Sequence, residues 1–227
     1  MLVDARTKMI NHVRSVLKIF GVKMKSCDTG AFASQVREVI PESLQSGLLP
    51  LVEMLEALTA KIREYNRVAN DLCKTKYTVE AEVVRQVNGV GLITGLTYIL
   101  TLGDISRFRK SRDVGPYLGL RPRRSESGDS VPELGISRAG DRRLRVLLVQ
   151  SAQYILGPFG TDCELRRWGL RKAEGSKRAK KRAVIAVARK LSVLLHRLLT
   201  TGETYQPFRN QAPEAAMTAQ LCSAATG

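Results

Sequence analysis

Residues 79–102, VEAEVVRQVNGVGLITGLTYILTL, decide how this chain folds. Apolar residues recur at helical spacing over residues 79–87 and again over 92–102, on either side of the turn Asn88-Gly89-Val90-Gly91. A helix, a Gly-x-Gly turn and a second helix form the pattern of a helix-hairpin-helix element. Gly89 and Gly91 permit a tight turn and close backbone approach, so the first N–H groups of the second helix can face a phosphate. An ordinary turn between two helices shares this pattern, and both interpretations stay open.

The residues before this stretch predict a helical arm. A helix is expected over residues 2–20, then a connector over 22–50 that contains Gly30, Pro41, Gly47, Pro50 and a short helix over 33–40. After Pro50, apolar residues alternate steps of four and three, as in the seam of a coiled coil. The seam residues are Leu51, Leu55, Leu58, Ile62, Tyr65, Ala69 and Leu72. Two interpretations remain: an amphipathic helix packed on its own domain, or a hairpin or dimerisation arm.

The residues after this stretch predict further helices over 141–156, 161–172 and 177–199, with a polar loop before them. No alternation with a period of two indicates a strand. The predicted fold is mainly α, with a coiled-coil or helical-hairpin arm in residues 1–78. A compact helical DNA-binding domain follows in residues 79–208 and contains the helix-hairpin-helix-like element. Residues 209–227 are expected to be a disordered tail.

The positive charge of the chain is concentrated in one region. The 227 residues include 37 Lys and Arg and 21 Asp and Glu, and the segment 107–197 holds 23 of the basic but only 8 of the acidic residues. A localised basic region on a folding sequence is typical of a nucleic-acid binder. A generally basic soluble protein or a binder of anionic membranes is the alternative. No apolar run approaches the roughly 20 residues that span a bilayer, and no signal peptide is visible.

The cysteines and histidines indicate neither a metal site nor a disulfide scaffold. The four cysteines lie far apart without a CxxC pair, and the chain has two histidines, His12 and His196. We therefore expect no metal ligands and a location in the reducing cytoplasm.

Basic residues around the polar loop and at the start of the last helix are the candidates for contact with nucleic acid. Their guanidinium and ammonium groups suit phosphate oxygens, although such a run is often only a solvated helix face. The candidates are Arg123, Arg124, Arg138, Arg142, Arg143, Lys177, Arg178, Lys180, Lys181 and Arg182.

The polar loop also carries hydroxyl groups that could attack DNA. Ser125 and Ser127 lie beside Arg123 and Arg124, and Gly128 would let the backbone approach a strand closely. A serine that attacks a phosphodiester must lose its proton and needs cations near the developing charge, which Arg can supply. No histidine lies near in sequence, which argues against a Ser-His-Asp hydrolase, and no GxxxxGK[ST] loop is present. A serine-rich loop without any chemical role is the alternative.

The motifs along the chain together resemble one family of transposases. They are GVGLITGL (89–96), GDISRF (103–108), YLGLRP (117–122), SG (127–128), LGISRAGDRRLR (134–145), LLV (147–149), GPFG (157–160), LRRWG (165–169), AKKRAV (179–184), VARKL (187–191) and LHRL (195–198). This set is similar to the C-terminal domain of the insertion-sequence-110 / insertion-sequence-1111 family, also called the DEDD transposases. Residues 2–14 resemble the helix that follows the family's catalytic domain.

The resemblance implies a site-specific DNA recombinase in two parts. In such a protein, an N-terminal RuvC-like domain binds divalent metal through four acidic residues. A coiled-coil arm joins it to a C-terminal domain whose serine becomes covalently linked to DNA. Ser127 matches that serine, and Ser125, at a position that varies, is the second choice. The implied partners are DNA, a guide-type non-coding RNA in at least some members, and a second copy of the chain through the coiled coil.

The chain departs from this pattern at its start. It begins where the RuvC-like domain should already have ended, and Asp4 and Asp104 do not supply the acidic motif. We therefore expect no bound cofactor, with Mg²⁺ confined to the RuvC-like domain. The favoured expectation is a truncated transposase that supplies the serine-bearing half of the active site. A chain that works with a separately encoded N-terminal partner is the second possibility. A non-catalytic DNA- or RNA-binding module, or a helical interaction protein, would have the same fold.

Overall fold

The computed structural model describes residues 1–123 and 135–209 and is mainly helical, as the sequence predicts. Within those residues, extended pairing is limited to an isolated antiparallel bridge between Pro122 and Ile136. The predicted serine positions Ser125 and Ser127, and nearly all of the predicted tail, lie outside the described residues. None of the helices in the described ranges is long and apolar enough to cross a membrane.

The first of two compact units comprises residues 1–71. It contains α1 (Leu2–Ile19), α2 (Phe32–Val39) and most of α3 (Glu42–Thr75). Apolar side chains from the three helices share one core, which is the usual way for amphipathic helices to remove an apolar face from water. The buried members of this core are Ile10, Val13, Leu17, Phe32, Val36, Ile40, Leu48, Val52 and Leu55.

Helix α3 begins earlier than the sequence predicts, so the expected connector is wrong over residues 42–50. The helix starts at Glu42 and continues through Gly47 and Pro50, two residues that lower helix propensity. Leu48 and Val52 flank Pro50 and are buried in the core of the unit. Burial of this apolar face outweighs the local propensity that favoured a break.

The buried side of α3 has a heptad spacing in a register that differs from the predicted seam. Within the first unit, the buried residues of α3 are Leu48, Val52, Leu55, Thr59 and Ile62. Of the predicted seam, Leu55 and Ile62 are buried, Leu51 and Leu58 are half-buried, and Tyr65 is exposed. The first half of α3 is therefore an amphipathic helix packed on its own unit, and a coiled-coil partner for the second half stays a prediction.

The second unit begins at Leu72. Its elements are α4 (Thr78–Arg85), α5 (Leu92–Leu102), two 3-10 turns (Ile105–Arg107 and Ser111–Asp113), α6 (Val114–Tyr117), α7 (Arg142–Leu156), α8 (Glu164–Ala173) and α9 (Lys177–Thr201). Helices α7 and α9 both begin at side chains of types that favour the N-cap position. Asp141 accepts a hydrogen bond from the N–H of Leu144 at 2.6 Å, and Ser176 accepts one from Ala179 at 3.1 Å.

Helix α9 is the centre of the second unit and contacts α4, α6, α7 and α8. Its apolar face, which includes Val187, Leu191 and Leu195, is fully buried. The buried Tyr98 of α5 donates a hydrogen bond from its hydroxyl to the carbonyl oxygen of Ser192 at 2.5 Å. Burial raises the pKa of Tyr98, which keeps this hydroxyl protonated as a donor.

Close packing between α7, α8 and α9 requires a glycine at position 169. A Cβ atom there would lie 2.5 Å from Cγ2 of Val187 and 2.6 Å from Cδ2 of Leu156. We expect Gly169→Ala to lower the free energy of unfolding by about 1–3 kcal/mol, because overpacking outweighs the gain in helix propensity. Urea unfolding followed by the fluorescence of Trp168, the single tryptophan, measures the change.

Gly135→Ala is the matched control, because a Cβ atom at that position has no atom within 4 Å. It should change the free energy of unfolding by less than about 1 kcal/mol. Equal unfolding midpoints for the two variants would contradict the packing argument.

Candidate nucleic-acid interface

The two ends of the predicted serine loop cross each other at closely packed backbone. Gly119 and Gly140 both have left-handed φ angles, +68° and +72°. A Cβ atom at Gly119 would lie 2.1 Å from the carbonyl oxygen of Ala139, and one at Gly140 would lie 2.0 Å from that of Tyr117. Residues 117–119 and 138–140 can therefore approach only because both crossing points are glycines.

Backbone hydrogen bonds continue from this crossing toward the loop. The N–H of Arg138 donates to the carbonyl oxygen of Gly119 at 3.2 Å, and that of Ser137 donates to Arg121 at 2.9 Å. The N–H of Arg123 donates to the carbonyl oxygen of Gly135 at 2.9 Å. The chain is thus held side by side at residues 123 and 135, the two ends of the segment that contains Ser127 in sequence.

The buried guanidinium of Arg145 joins the two crossing segments. Arg145 lies in α7, is 8% exposed, and donates from Nη1 to the carbonyl oxygens of Leu118 at 3.0 Å and Ala139 at 2.7 Å. One acceptor comes from each segment, and a charged donor makes a stronger hydrogen bond than a neutral one. Arg145 is therefore a structural clamp at the base of the loop.

Arg138 is the one non-glycine residue of the described chain with a positive φ, +58°. The left-handed conformation costs an L-residue about 1–2 kcal/mol. The crossing imposes it, because the neighbouring residues 139 and 140 are fixed against residues 117–119. Residues held in such conformations are common at functional sites. Arg138 is one of the residues that line the groove described next.

A groove of about 970 Å³ lies between the base of the loop and helices α8 and α9, and we call it the basic groove. Loop-base residues Leu120, Pro122, Gly135 and Ile136 form one wall. Helix α9 contributes five cations, Arg178, Lys181, Arg182, Arg189 and Lys190. Three more come from other elements: Arg112, Arg138 and Lys172. Among the described residues, its lining therefore holds eight basic side chains and no acidic one.

Trp168 of α8 lines the basic groove and contacts two of these cations. The Nζ atom of Lys190 lies 3.9 Å from the centroid of the Trp168 ring, and that of Lys172 lies 5.3 Å from it. An aromatic face attracts a cation placed in this way. Partial burial lowers the pKa of Lys190, Glu164 raises it, and the neighbouring Lys172 and Arg171 lower it. The repulsion among these cations shows that they have been drawn together at this end.

Two further contacts position Arg112 and Arg189, which also line the basic groove. Nε2 of His196 lies 3.1 Å from the carbonyl oxygen of Ile105, and Nδ1 lies 3.0 Å from Oγ of Ser111. A carbonyl oxygen can only accept, so Nε2 carries the proton and Nδ1 can accept one from Ser111. This bond fixes the 3-10 turn that presents Arg112. Gly115 lets Arg189 pass, because a Cβ atom there would lie 3.0 Å from Cγ of Arg189.

The predicted hairpin glycines lie at a second, smaller cavity of about 440 Å³. Gly89 has a φ of +91°, and a Cβ atom there would lie 2.9 Å from Cγ1 of Ile155. Gly91 is the N-cap of α5 and makes no side-chain cap. The turn between α4 and α5 therefore packs on α7, with Gly91 toward open space, and its assignment as a helix-hairpin-helix element stays a prediction.

Comparison with known proteins identifies the relationship. Residues 81–159 match the sequence model described as "Transposase IS116/IS110/IS902 family". Over these residues the chain is similar to the IS116/IS110/IS902 transposases. It is 31% identical over 214 residues to the transposase for insertion sequence element IS1111A of Coxiella burnetii. It is 27% identical over 216 residues to a probable family 20 transposase of Pseudomonas aeruginosa.

A further relative is named for a different role. The chain is 26% identical over 134 residues, 59% of its length, to a pilin gene-inverting protein of Moraxella lacunata, and these residues cover 41% of that protein. The first two matches cover 90% and 91% of this chain, but 57% and 62% of the transposases themselves. The chain thus spans less than two thirds of the curated transposases that it matches.

The structure divides the predicted basic residues into groups. Arg138, Arg178, Lys181 and Arg182 line the basic groove. The other described candidates are exposed but are not among its lining residues; they are Arg123, Arg142, Arg143, Lys177 and Lys180. Arg124, like Ser125 and Ser127, lies outside the described residues.

Sequence reasoning missed half of the cations of the basic groove and its aromatic residue. Lys190 and Arg189 could have been found by continuing the basic start of α9 along its own face, since residues 178, 182, 185 and 189 follow helical spacing. Lys172 lies four residues after Trp168 on α8, so both face one side of that helix. Nothing local in the sequence indicates that this side of α8 meets α9.

The described residues do not form the carboxylate site expected of a RuvC-like domain. Among residues 1–123 and 135–209, no three His, Cys, Asp or Glu side chains are grouped so that they could hold a metal ion. The association of Mg²⁺ with such a domain stays an expectation from the resemblance.

The clamp at Arg145 gives a direct test of how the loop base is held. Arg145→Met should lower the free energy of unfolding by about 1–3 kcal/mol, because two buried carbonyl oxygens lose their donor. Arg143→Met removes the same charge from an exposed position of the same helix and should change it by less than about 0.5 kcal/mol. Urea unfolding of both variants measures the difference. Equal effects would show that Arg145 contributes only charge.

Proposed function

We propose that this chain handles DNA in an insertion-sequence transposase, with the basic groove as the site for the phosphodiester backbone and Ser127 as the nucleophile. The observation that carries the proposal is the convergence of eight cations on a groove whose wall includes Pro122, Gly135 and Ile136. Pro122 and Gly135 are close in sequence to the two ends of the serine segment. Cations from this groove would therefore lie beside the DNA that the segment approaches.

The names of the relatives support the same function. They are transposases of insertion sequences and proteins that invert pilin genes, and both names describe rearrangement of DNA. Transposase or recombinase activity requires that DNA be held while a strand is cut and joined. A groove lined by Arg and Lys is suited to hold a polyanion, because each neutralised phosphate releases condensed counterions.

The proposed chemistry at Ser127 is a transesterification at phosphorus. Oγ of Ser127 forms a bond to phosphorus while the bond from phosphorus to the leaving sugar oxygen breaks. The serine proton passes to a base or to water, and the leaving oxygen takes up a proton. Cations of the basic groove, with Arg138 the nearest in sequence among those described, stabilise the charge on the phosphoryl oxygens. Ser125 is the second choice for the nucleophile.

The turn at Gly91 and the second half of α3 have secondary roles in this proposal. The uncapped first turn of α5 offers N–H groups for a phosphate, as in a helix-hairpin-helix element. On α3, the exposed Tyr65 and Val68 lie three residues apart and offer an apolar strip for a coiled-coil dimer. A guide-type RNA is a further partner that the family resemblance suggests.

The contribution of the groove to DNA binding can be measured through its salt dependence. Lys181→Gln should reduce the slope of log K against log salt concentration by about 1, because one phosphate contact is lost. Lys74→Gln, an exposed lysine in the last turn of α3, is the matched control and should leave the slope unchanged. Fluorescence anisotropy of labelled duplex DNA over a salt series provides the slopes. Equal reductions would place DNA binding elsewhere than in the basic groove.

A covalent protein–DNA adduct tests the role of Ser127. The chain is incubated with element-end DNA, Mg²⁺ and the full-length Coxiella burnetii relative, and adducts are separated by the different lengths of the two proteins. We expect an adduct of this chain that Ser127→Ala abolishes and Ser125→Ala retains. If the relative forms its adduct and this chain forms none, the chain is a non-catalytic DNA- or RNA-binding module. That module is the alternative function.

A further inference from the structure

The basic groove has an apolar floor beneath its cations. Ile185, Ala186 and Val193 of α9 line it, together with Leu120 and Ile136 from the loop base. These aliphatic groups can form no hydrogen bond and gain nothing from a phosphate or from water. Phosphates suit the cations of the groove, and a ligand with an apolar part suits its apolar floor.

A DNA duplex does not provide such a part. It presents phosphates and sugars outward and keeps the faces of its bases stacked inside, so contacts to it from outside are mainly polar. An unpaired strand carries the same phosphates and also exposes the flat faces of its bases. Proteins that bind single strands combine a positive groove for the backbone with apolar or aromatic surfaces for the bases.

We infer that the basic groove binds an unpaired segment of DNA, with bases on the aliphatic floor and phosphates on the surrounding cations. This inference rests on the proposed DNA binding and adds the state of the strand. Charge complementarity favours a polyanion, since the described lining includes eight cations. The volume of about 970 Å³ lies at the upper end of the range typical of small-molecule sites, which is adequate for a few unstacked bases.

The apolar floor includes residues from the base of the serine loop. Leu120 and Ile136 belong to the paired segments that hold residues 123 and 135. Bases on this floor would lie next to the base of the serine segment. The groove would then hold the separated strand beside the two ends of the segment that contains Ser127 in sequence.

Trp168 provides the measurement, because it is the single tryptophan and lines the groove. The full chain is titrated with three probes at one salt concentration: an oligothymidylate of about 12 nucleotides, an abasic strand of equal length, and a duplex of equal length. The oligothymidylate should bind at least about 10-fold more tightly than the abasic strand, as expected for bases worth about 1–3 kcal/mol each. It should also change Trp168 fluorescence more than the duplex does.

Substitutions that replace an aliphatic branch of the side chain with a hydroxyl test the floor itself. Val193→Thr and Ile185→Thr should remove most of the preference for the base-bearing strand while leaving its salt slope unchanged. Val146→Thr is the matched control, since Val146 is an exposed valine of α7 that is not among the lining residues of the groove. Lys181→Gln should do the opposite and reduce the slope for both strands. Circular dichroism verifies that each variant is folded.

Two outcomes would overturn the inference, and they are distinguishable from each other. Equal affinity for the base-bearing and abasic strands, or a duplex that binds as tightly with the same fluorescence change, would show a groove for backbone alone and leave the proposed DNA binding intact. Absence of binding to all three probes would overturn the proposed DNA binding as well.

Discussion

The crossing of residues 117–119 with 138–140 is the constraint on which the rest of the site depends. Two glycines permit the close approach, and the guanidinium of Arg145 donates to a carbonyl oxygen on each side of it. A single buried side chain of α7 thus ties together segments about 20 positions apart in sequence. Every element of the loop base follows from this: the paired ends at residues 123 and 135, the left-handed Arg138, and the wall of the basic groove.

The groove itself opposes the stability of the fold. Cations concentrated on one surface repel one another, and the lowered pKa of Lys190, caused by partial burial and by nearby Lys172 and Arg171, is a local sign of that cost. Contact with the ring of Trp168 offsets part of it. A bound polyanion would reduce the remaining repulsion between the cations. That reduction would contribute to the affinity of the chain for the polyanion. The left-handed conformation of Arg138 belongs to the same pattern, in which local rules are broken where a ligand is expected.

Sequence periodicity predicted the helices well where an apolar face and the local propensity agree. Helix α5 has the predicted bounds, and α9 begins at the predicted Lys177. The prediction was wrong at the start of α3, because Pro50 and Gly47 suggest a break that burial of Leu48 and Val52 overrides. The site was harder to predict, since a run of basic residues does not show which members point inward. Arg143 and Arg145 are two positions apart, yet one is exposed and the other is a buried clamp.

The same limit applies to the groove as a whole. The sequence indicated the basic start of α9, but Trp168 and Lys172 reach the groove only because Gly169 lets α8 lie against α7 and α9. The glycines at positions 115, 119, 140 and 169 have the same role. Each lacks a side chain at a point where a neighbouring side chain or backbone segment lies too close for a Cβ atom. The cations are displayed at the surface, but small residues beneath them determine that they converge. A site of this kind depends on close backbone packing as much as on charge, and replacing one of these glycines would displace several cations together.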